Sequence, residues 1–182
     1  MWKQDEERLI QEELSKYLGE EKVSRQLKSP PTYYKLYLTL EELYFGKSKK
    51  LHITRLVFPT HETEGEEQKY LLTIEIKAGW KAGTKITYEE YGSQVNSKSI
   101  AGDIVFVLEE KPHTEFKRIG NDLHKSMPRP PEGVESVAIQ TLAGLKLDIP
   151  LGLTEKLYRI RGHGMPISKN PGQFGDLFVE LI

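Results

Sequence analysis

Residues 33–40 have the sequence Tyr33-Tyr34-Lys35-Leu36-Tyr37-Leu38-Thr39-Leu40, in which apolar side chains recur at every second position. This period of two is typical of a β-strand, because successive side chains of a strand point to opposite faces. One face of the predicted strand carries Tyr34, Leu36, Leu38 and Leu40. A turn-like segment from Glu41 to Phe45, closed by Gly46, separates it from the next predicted strand.

That second strand covers Lys49–Thr54, where Lys49, Leu51 and Ile53 alternate with Lys50, His52 and Thr54. Glycine and proline residues separate further short apolar segments, and no long helical period follows residue 20. These segments are predicted strands at Leu71–Ile76, Lys85–Glu89, Ile104–Leu108, Val137–Thr141, Leu145–Ile149, Lys156–Ile160 and Leu177–Leu181. Many short strands between turn residues predict an all-β fold built as a small sandwich or barrel.

The residues before the strands have a different pattern. Residues 2–18 carry an apolar stripe at helical spacing, formed by Leu9, Ile10, Leu14, Tyr17 and Leu18. We therefore expect an N-terminal α-helix that ends at Gly19 and is followed by a polar linker to residue 29. A lone helix of this length is marginal in water, so its stripe needs a partner, either this chain or a neighbouring copy.

An internal repeat divides the β-region. Gly102-Asp103-Ile104-Val105-Phe106-Val107 resembles Gly175-Asp176-Leu177-Phe178-Val179-Glu180, at an offset of 73 residues (175 − 102). The same offset aligns Ile74, Ile76 and Gly79 with Leu147, Ile149 and Gly152. We expect two tandem copies of one small β-unit, the first at residues 30–116 and the second at residues 117–182.

Composition excludes several classes of function. The formal net charge is −1, so no global field attracts the chain to nucleic acid or an anionic membrane. No apolar run approaches the ~18 residues of a membrane span, and residues 1–8 lack the apolar core of a signal peptide. The absence of cysteine excludes disulfides and thiolate zinc sites. A cytoplasmic location is the expectation.

Catalytic and metal-binding patterns are also absent from the sequence. None of the five histidines (His52, His61, His113, His124 and His163) has the second histidine four residues away that a helical zinc site uses. The sequence contains no phosphate-binding loop, nucleophile elbow or dinucleotide fingerprint. We therefore expect no enzymatic activity, no cofactor and no metal.

The first two strands offer a binding surface instead. Leu36, Leu51 and Ile53 could all be core residues, or they could form an apolar surface on which extended peptide docks. The lysine pair Lys49-Lys50 would be a poor choice if both faces of the second strand were buried. The residues alone leave both interpretations open.

Four motifs carry a family resemblance. They are Gly79-Trp80-Lys81-Ala82-Gly83-Thr84-Lys85-Ile86, Gly102-Asp103-Ile104-Val105-Phe106, the segment Lys111-Pro112-His113 through Phe116-Lys117-Arg118 to Leu123, and Arg161-Gly162-x-Gly164-Met165-Pro166 with Gly175-Asp176-Leu177. The four motifs occur in this order and at this spacing over about residues 33–182. In these motifs the chain resembles the C-terminal region of DnaJ-type (heat-shock 40) co-chaperones. Because the cysteine repeats of type I members are missing, it resembles type II.

The resemblance implies a peptide-binding groove in the first β-domain, at Tyr34, Leu36, Lys49, Leu51, Ile53 and Phe106. It also implies that Lys49 and Lys50 hold the acidic C-terminal tail of a DnaK-type chaperone, since lysines suit carboxylate ligands. The expected function is a module that holds unfolded or extended polypeptide. A scaffold that binds one dedicated protein partner is the alternative.

Two departures from the family pattern lead to further expectations. Residues 125–135 contain three prolines, which would break the strand and short helix that the family has there, so the second domain is atypical at this point. No J-domain with its His-Pro-Asp motif is present. The family's dimerising segment would follow Ile182, so we expect this chain to be a monomer.

Overall fold

The computed structural model describes residues 27–59 and 64–182. The predicted helix at residues 2–18, the start of the linker and His61 lie outside these residues. The elements are β1 (Thr32–Leu38), α1 (Leu40–Phe45), β2 (Lys47–Val57), β3 (Glu66–Ile76), β4 (Lys85–Tyr88), β5 (Ile104–Glu110), β6 (Lys117–Ile119), β7 (Asp122–Met127), β8 (Ser136–Gln140), β9 (Lys146–Pro150), β10 (Leu157–Ile160) and β11 (Leu177–Leu181). The all-β class is confirmed, and every strand predicted within the described residues is present.

One sequence-based assignment is wrong, and one pair of strands was not predicted. The turn-like segment is the short helix α1, whose first turn is capped by Thr39: its hydroxyl oxygen accepts from the Glu42 N–H at 3.2 Å. Leu40 and Leu43 anchor α1 by burial, and it ends at Gly46, whose φ of +79° glycine adopts without strain. The hairpin of β6 and β7 was missed, because its mixed polar sequence has no clear apolar alternation.

The described strands form four small sheets. Their orders are β1-β5-β4, β10-β11-β7-β6, β2-β3 and β8-β9. In the second of these, β11 pairs in parallel with β7 and antiparallel with β10. Strand β7 runs on to Met127, so the prolines at 128, 130 and 131 follow the strand instead of breaking it, and the irregular segment leads directly to β8.

The chain has two compact units. Among the described residues, the smaller unit comprises 27–32, 54–59, 64–69 and 87–104, and the larger one comprises 33–53, 70–86 and 105–182. In the smaller unit the buried hydroxyls of Ser29 and Ser99 bond each other at 3.2 Å. The larger unit buries the apolar side chains Leu36, Leu38, Leu43, Ile53, Ile74, Phe106, Leu108, Leu123, Met165, Leu177 and Val179. The predicted division into residues 30–116 and 117–182 stays a prediction.

Equivalent contacts recur at the two ends of the 73-residue repeat. A Cβ added to Gly102 would lie 2.2 Å from the Pro30 carbonyl oxygen, two residues before β1 begins. A Cβ added to Gly175 would lie 2.0 Å from the Asn121 carbonyl oxygen, directly before β7. Both glycines therefore stand where backbone passes too closely for any side chain.

The aspartates after these glycines also act alike. Asp103 Oδ1 accepts from the Glu90 N–H at 3.0 Å, and Asp176 Oδ1 accepts from the Gly162 N–H at 3.0 Å. Each carboxylate also pairs with a cation, which helps to hold its pKa below the ordinary value. The cations are Lys28 for Asp103 and Arg159 for Asp176. The Gly-Asp pairs therefore tie a turn to the start of a strand in both copies.

Candidate functional site

The residues predicted to line the groove lie on β1, β2 and β5, all within the larger unit. Leu36, Ile53 and Phe106 are buried, with 3%, 4% and 1% of their surfaces exposed. Leu51 is half-buried, and Tyr34 is 37% exposed. Of the two interpretations left open by the sequence, core packing therefore describes Leu36 and Ile53, whereas Tyr34 and Leu51 reach the surface.

Tyr34 and Phe106 form one aromatic pair. Their ring centroids are 5.7 Å apart with an interplanar angle of 27°, which is a stacked arrangement. Phe106 is the buried member, and Tyr34 covers it from the solvent side. Phe106 therefore supports the exposed ring from below and offers almost no surface of its own to a ligand.

Strand β1 has one backbone edge with which no described strand pairs. It stands at the end of the sheet order β1-β5-β4, and the Lys111 N–H donates to the Leu38 carbonyl at 2.8 Å. Because alternate residues of a strand direct their backbone groups to the same side, the groups of Tyr33, Lys35 and Tyr37 point away from β5. The exposed side chains of Tyr33 and Tyr37 belong to the alternate face of β1, which is not part of the predicted groove.

Strand β2 likewise has an edge that is unpaired among the strands of residues 27–59 and 64–182. Within the smaller unit, the Leu56 N–H donates to the Ser93 hydroxyl oxygen at 3.0 Å and the Leu56 carbonyl accepts from the Gln94 N–H at 2.8 Å. Leu56 therefore directs its backbone away from β3, the sheet partner of β2. Exposure alternates regularly along β2 from Ser48 to Val57, so Lys50 and His52 have the same backbone direction as Leu56.

The two predicted lysines differ. Lys49 Nζ donates to the Tyr37 carbonyl at 3.1 Å and lies 3.8 Å from Glu42 Oε2, an otherwise unbonded buried oxygen. Lys49 therefore links β2 to the free edge of β1 at one end, and its charge is partly balanced by the chain itself. Lys50 is exposed and has no hydrogen bond or ion pair within the described residues. Nothing in the sequence spacing pointed to Glu42 as the partner.

These features define the β1–β2 slot: the outer edge of β1 at Tyr33 and Lys35, the outer edge of β2 at Lys50 and His52, and the surface side chains Tyr34 and Leu51. At Tyr37 the outward carbonyl of β1 is already bonded by Lys49. Free N–H and C=O groups on a strand edge pair readily with another extended chain. Apolar surface beside such an edge accepts apolar side chains. The slot is suited to binding polypeptide, and no cluster of potential metal ligands occurs in the part of the chain that the structure describes.

One family motif proves to be structural. The buried guanidinium of Arg118 donates to the carbonyl oxygens of Trp80 at 2.7 Å and Gly79 at 3.0 Å. Burial lowers the pKa of Arg118, although the nearby Glu110 carboxylate opposes the shift. The motif at residues 111–123 therefore holds the motif at residues 79–86 in place.

His113 of the same motif closes a turn. Its Nδ1 accepts from the backbone N–H groups of Glu115 at 3.0 Å and Phe116 at 3.1 Å, so the proton is assigned to Nε2. Nε2 in turn lies 2.7 Å from a carboxylate oxygen of Glu41 on α1. With both ring nitrogens engaged, this histidine positions the turn and the helix.

Within residues 27–59 and 64–182, no helix has both the length and the apolar character needed to cross a membrane. A family model described as the DnaJ C terminal domain matches residues 32–182. The chain is 40% identical over 164 residues to DnaJ homolog subfamily B member 5 of Homo sapiens. This match covers 86% of the chain and 47% of that relative.

Other relatives agree. The chain is 36% identical over 165 residues to DnaJ protein homolog 1 of Drosophila melanogaster, which covers 86% of the chain and 48% of the relative. It is 36% identical over 173 residues to Protein SIS1 of Saccharomyces cerevisiae. That match covers 86% of the chain and 47% of the relative. The chain spans about half the length of the curated relatives it matches. The family expected from the four motifs is confirmed: the chain belongs to the DnaJ C-terminal domain family, and its relatives are subfamily B (type II) proteins.

Proposed function

We propose that this chain is the substrate-holding part of a co-chaperone, which binds extended segments of unfolded polypeptide in the β1–β2 slot. The observation that carries the proposal is the pair of free strand edges beside the surface side chains Tyr34 and Leu51. A peptide entering as an extra strand gains backbone hydrogen bonds that do not depend on sequence. Apolar side chains at alternate positions of the peptide then contact Tyr34 and Leu51, which gives a preference for apolar segments. The family membership supports this role.

The same slot is proposed to dock the acidic C-terminal tail of a DnaK-type chaperone. Lys50 supplies a cation without a partner among the described residues, and Lys49 adds a second one that Glu42 partly balances. Carboxylates bind lysines through charge-assisted hydrogen bonds. Because Lys50 is exposed, salt should weaken this contact strongly.

The test removes the surface anchors and keeps the fold. We expect Tyr34→Ala with Leu51→Ala to weaken binding of a permanently unfolded, carboxymethylated model protein at least about tenfold, since truncating an anchor costs about 1–3 kcal/mol. Leu71→Ala is the matched control, because Leu71 is 51% exposed on the solvent face of β3. It should bind normally. Circular dichroism verifies that each variant is folded.

A folded double variant that binds as tightly as the parent chain would refute the slot assignment. Several unrelated unfolded proteins should be compared in the same assay. Binding of all of them supports a general holding function. Binding of a single folded protein and of no unfolded chain would favour the alternative, a scaffold for one dedicated partner. Lys50→Glu tests the tail separately, with a synthetic peptide ending in Glu-Glu-Val-Asp as the ligand.

A further inference from the structure

Several apolar side chains of the smaller unit are exposed around the loop at residues 93–99. Leu27 is 80% exposed, Val95 is 58% exposed and Leu56 is 40% exposed. Phe58, two residues after Leu56, is half-buried. A single exposed apolar side chain is ordinary on a protein surface, whereas a contiguous group marks an interaction site. The positions of these four side chains relative to one another therefore decide what they can do.

The end of β2 is tied to one side of this loop. The Leu56 N–H donates to the Ser93 hydroxyl oxygen at 3.0 Å, and the Gln94 N–H donates to the Leu56 carbonyl at 2.8 Å. The Phe58 N–H donates to the side-chain oxygen of Gln94 at 2.9 Å. Leu56 and Phe58 are therefore fixed beside Val95, the next residue of the loop.

The segment before β1 is tied to the other side of the same loop. The Ile100 N–H donates to the Leu27 carbonyl at 3.0 Å, and the Ser29 N–H donates to the Ile100 carbonyl at 2.8 Å. The buried Ser29 hydroxyl accepts from the Val95 N–H at 3.1 Å. Three segments of the chain thus meet at one stretch of surface. We call its four apolar side chains, Leu27, Leu56, Phe58 and Val95, the Val95 patch.

Polar contacts beneath the patch hold the loop in one conformation. The Val95 N–H is shared between the Ser29 hydroxyl and the buried Ser99 hydroxyl, which lies at 3.2 Å. The Ser99 hydroxyl donates to the Asn96 carbonyl at 2.8 Å, and the Gln94 side-chain amide donates to the Ser99 carbonyl at 2.8 Å. A surface that is ordered in advance loses little conformational entropy when it is covered. The Val95 patch is therefore a preformed apolar surface.

The chain itself supplies an apolar segment that begins beside this patch. Residues 1–26 lie outside the described residues, and the sequence predicts an amphipathic helix at residues 2–18. The eight residues 19–26 join that helix to Leu27 and reach at most about 29 Å. A short flexible tether gives an effective concentration in the millimolar range. Contact within one chain is therefore favoured over the same contact with a second copy in dilute solution.

We propose that the apolar stripe of residues 2–18 packs on the Val95 patch of its own chain. A lone helix of this length is marginal in water, and the patch supplies the apolar packing that the helix needs. Burial of the stripe removes apolar surface of both elements from water, while the charged face of the helix stays solvated. The contact uses none of the residues of the β1–β2 slot, so it stands or falls separately from the proposed function.

The test places a spin label on the predicted helix of the full chain. Because the chain contains no cysteine, the Ser15→Cys variant provides a unique attachment point for a nitroxide. At 3.6 residues per turn, Ser15 lies on the polar side of the helix, away from the stripe. In the ¹⁵N-labelled chain the nitroxide should broaden the backbone amide resonances of Leu56 and Val95. Chemical reduction of the nitroxide should restore their intensity.

Matched variants separate the contact from a general effect of charge. Leu14→Asp places a charge in the stripe and should remove the broadening, whereas Gln4→Asp adds the same charge on the polar side and should preserve it. On the other surface, Val95→Asp should remove the broadening at Leu56 without changing the sequence of the helix. Ser97→Asp, at an exposed position of the same loop, should leave the broadening in place. Thermal melting verifies that each variant is folded.

A mixed sample decides which chain covers the patch. Spin-labelled chains without ¹⁵N are combined with ¹⁵N-labelled chains without the nitroxide, and Leu56 and Val95 should then keep their intensity. Broadening in this sample would assign the patch to a neighbouring copy and overturn the proposal. Absence of broadening within a single chain would also overturn it. So would broadening that survives either Leu14→Asp or Val95→Asp in a folded chain.

Discussion

Phe106 should influence peptide binding by supporting Tyr34 and not by contacting the peptide itself, and the Phe106→Leu variant tests this. Phe106 is 1% exposed, and its ring stacks under that of Tyr34. Leucine has three fewer side-chain carbons, which at about 0.8 kcal/mol for each buried CH₂ corresponds to about 2.4 kcal/mol. Loss of the ring contact adds about 0.5–1.5 kcal/mol. The free energy of unfolding should therefore fall by about 3–4 kcal/mol, which a domain of ordinary stability survives.

A double-mutant cycle isolates the ring contact. Tyr34→Ala and Phe106→Leu are measured singly and together by denaturant unfolding, and their coupling should be about 0.5–1.5 kcal/mol. The Leu108→Val substitution is the control, because Leu108 is equally buried on β5 and makes no aromatic stack. Its effect on stability should be nearly additive with that of Tyr34→Ala.

Affinity for the carboxymethylated model protein provides the functional part of the same cycle. Phe106→Leu should weaken binding when Tyr34 is present, because the exposed ring loses its support. In the Tyr34→Ala background it should have no further effect on the affinity. Equal losses of affinity in both backgrounds would show that Phe106 contacts the peptide directly, and would refute the reasoning from its burial.

Three further predictions concern packing, charge and pH. Gly175→Ala should lower the free energy of unfolding by at least about 1–3 kcal/mol, because the added Cβ would meet the Asn121 carbonyl. In the control Gly152→Ala, the added Cβ faces only the flexible side chain of Glu155, so the denaturant midpoint should change little. Glu42→Gln should strengthen binding of the Glu-Glu-Val-Asp peptide about twofold to threefold at low salt by freeing Lys49, and an unchanged affinity in calorimetry would contradict that role. Stability should be full above about pH 5 and should fall towards about pH 3, because the folded-state pKa of several carboxyls lies below the unfolded value; a denaturant midpoint that stays constant over this range would exclude the effect. These carboxyls are Asp103, Glu115 and Asp176.

The sequence by itself determined the strands and the family. Alternation along residues 33–40 and 49–54 is a local property of the chain, because it depends only on which face each side chain occupies. The Gly-Asp pairs at 102–103 and 175–176 were also recognisable in the sequence as a repeat. Backbone approaches Gly102 and Gly175 so closely that only glycine fits at these two positions. The hairpin of β6 and β7 could not be predicted from the sequence, because the apolar pattern of these two strands is weak. Pairing with β11, which is distant in the sequence, stabilises β7.

Only the tertiary structure decided which predicted groove residues reach the surface. Leu36, Leu51 and Ile53 have the same pattern in sequence, yet Leu36 and Ile53 are buried and Leu51 is half-exposed, because burial depends on what packs above each strand. The ion pair of Lys49 with Glu42 joins β2 to α1, and the stacking of Tyr34 on Phe106 joins β1 to β5, which is far away in the sequence. The edges of β1 and β2 that no described strand covers are likewise a property of sheet order. A strand's sequence specifies its faces, but which neighbours its backbone finds is settled only when the sheets assemble.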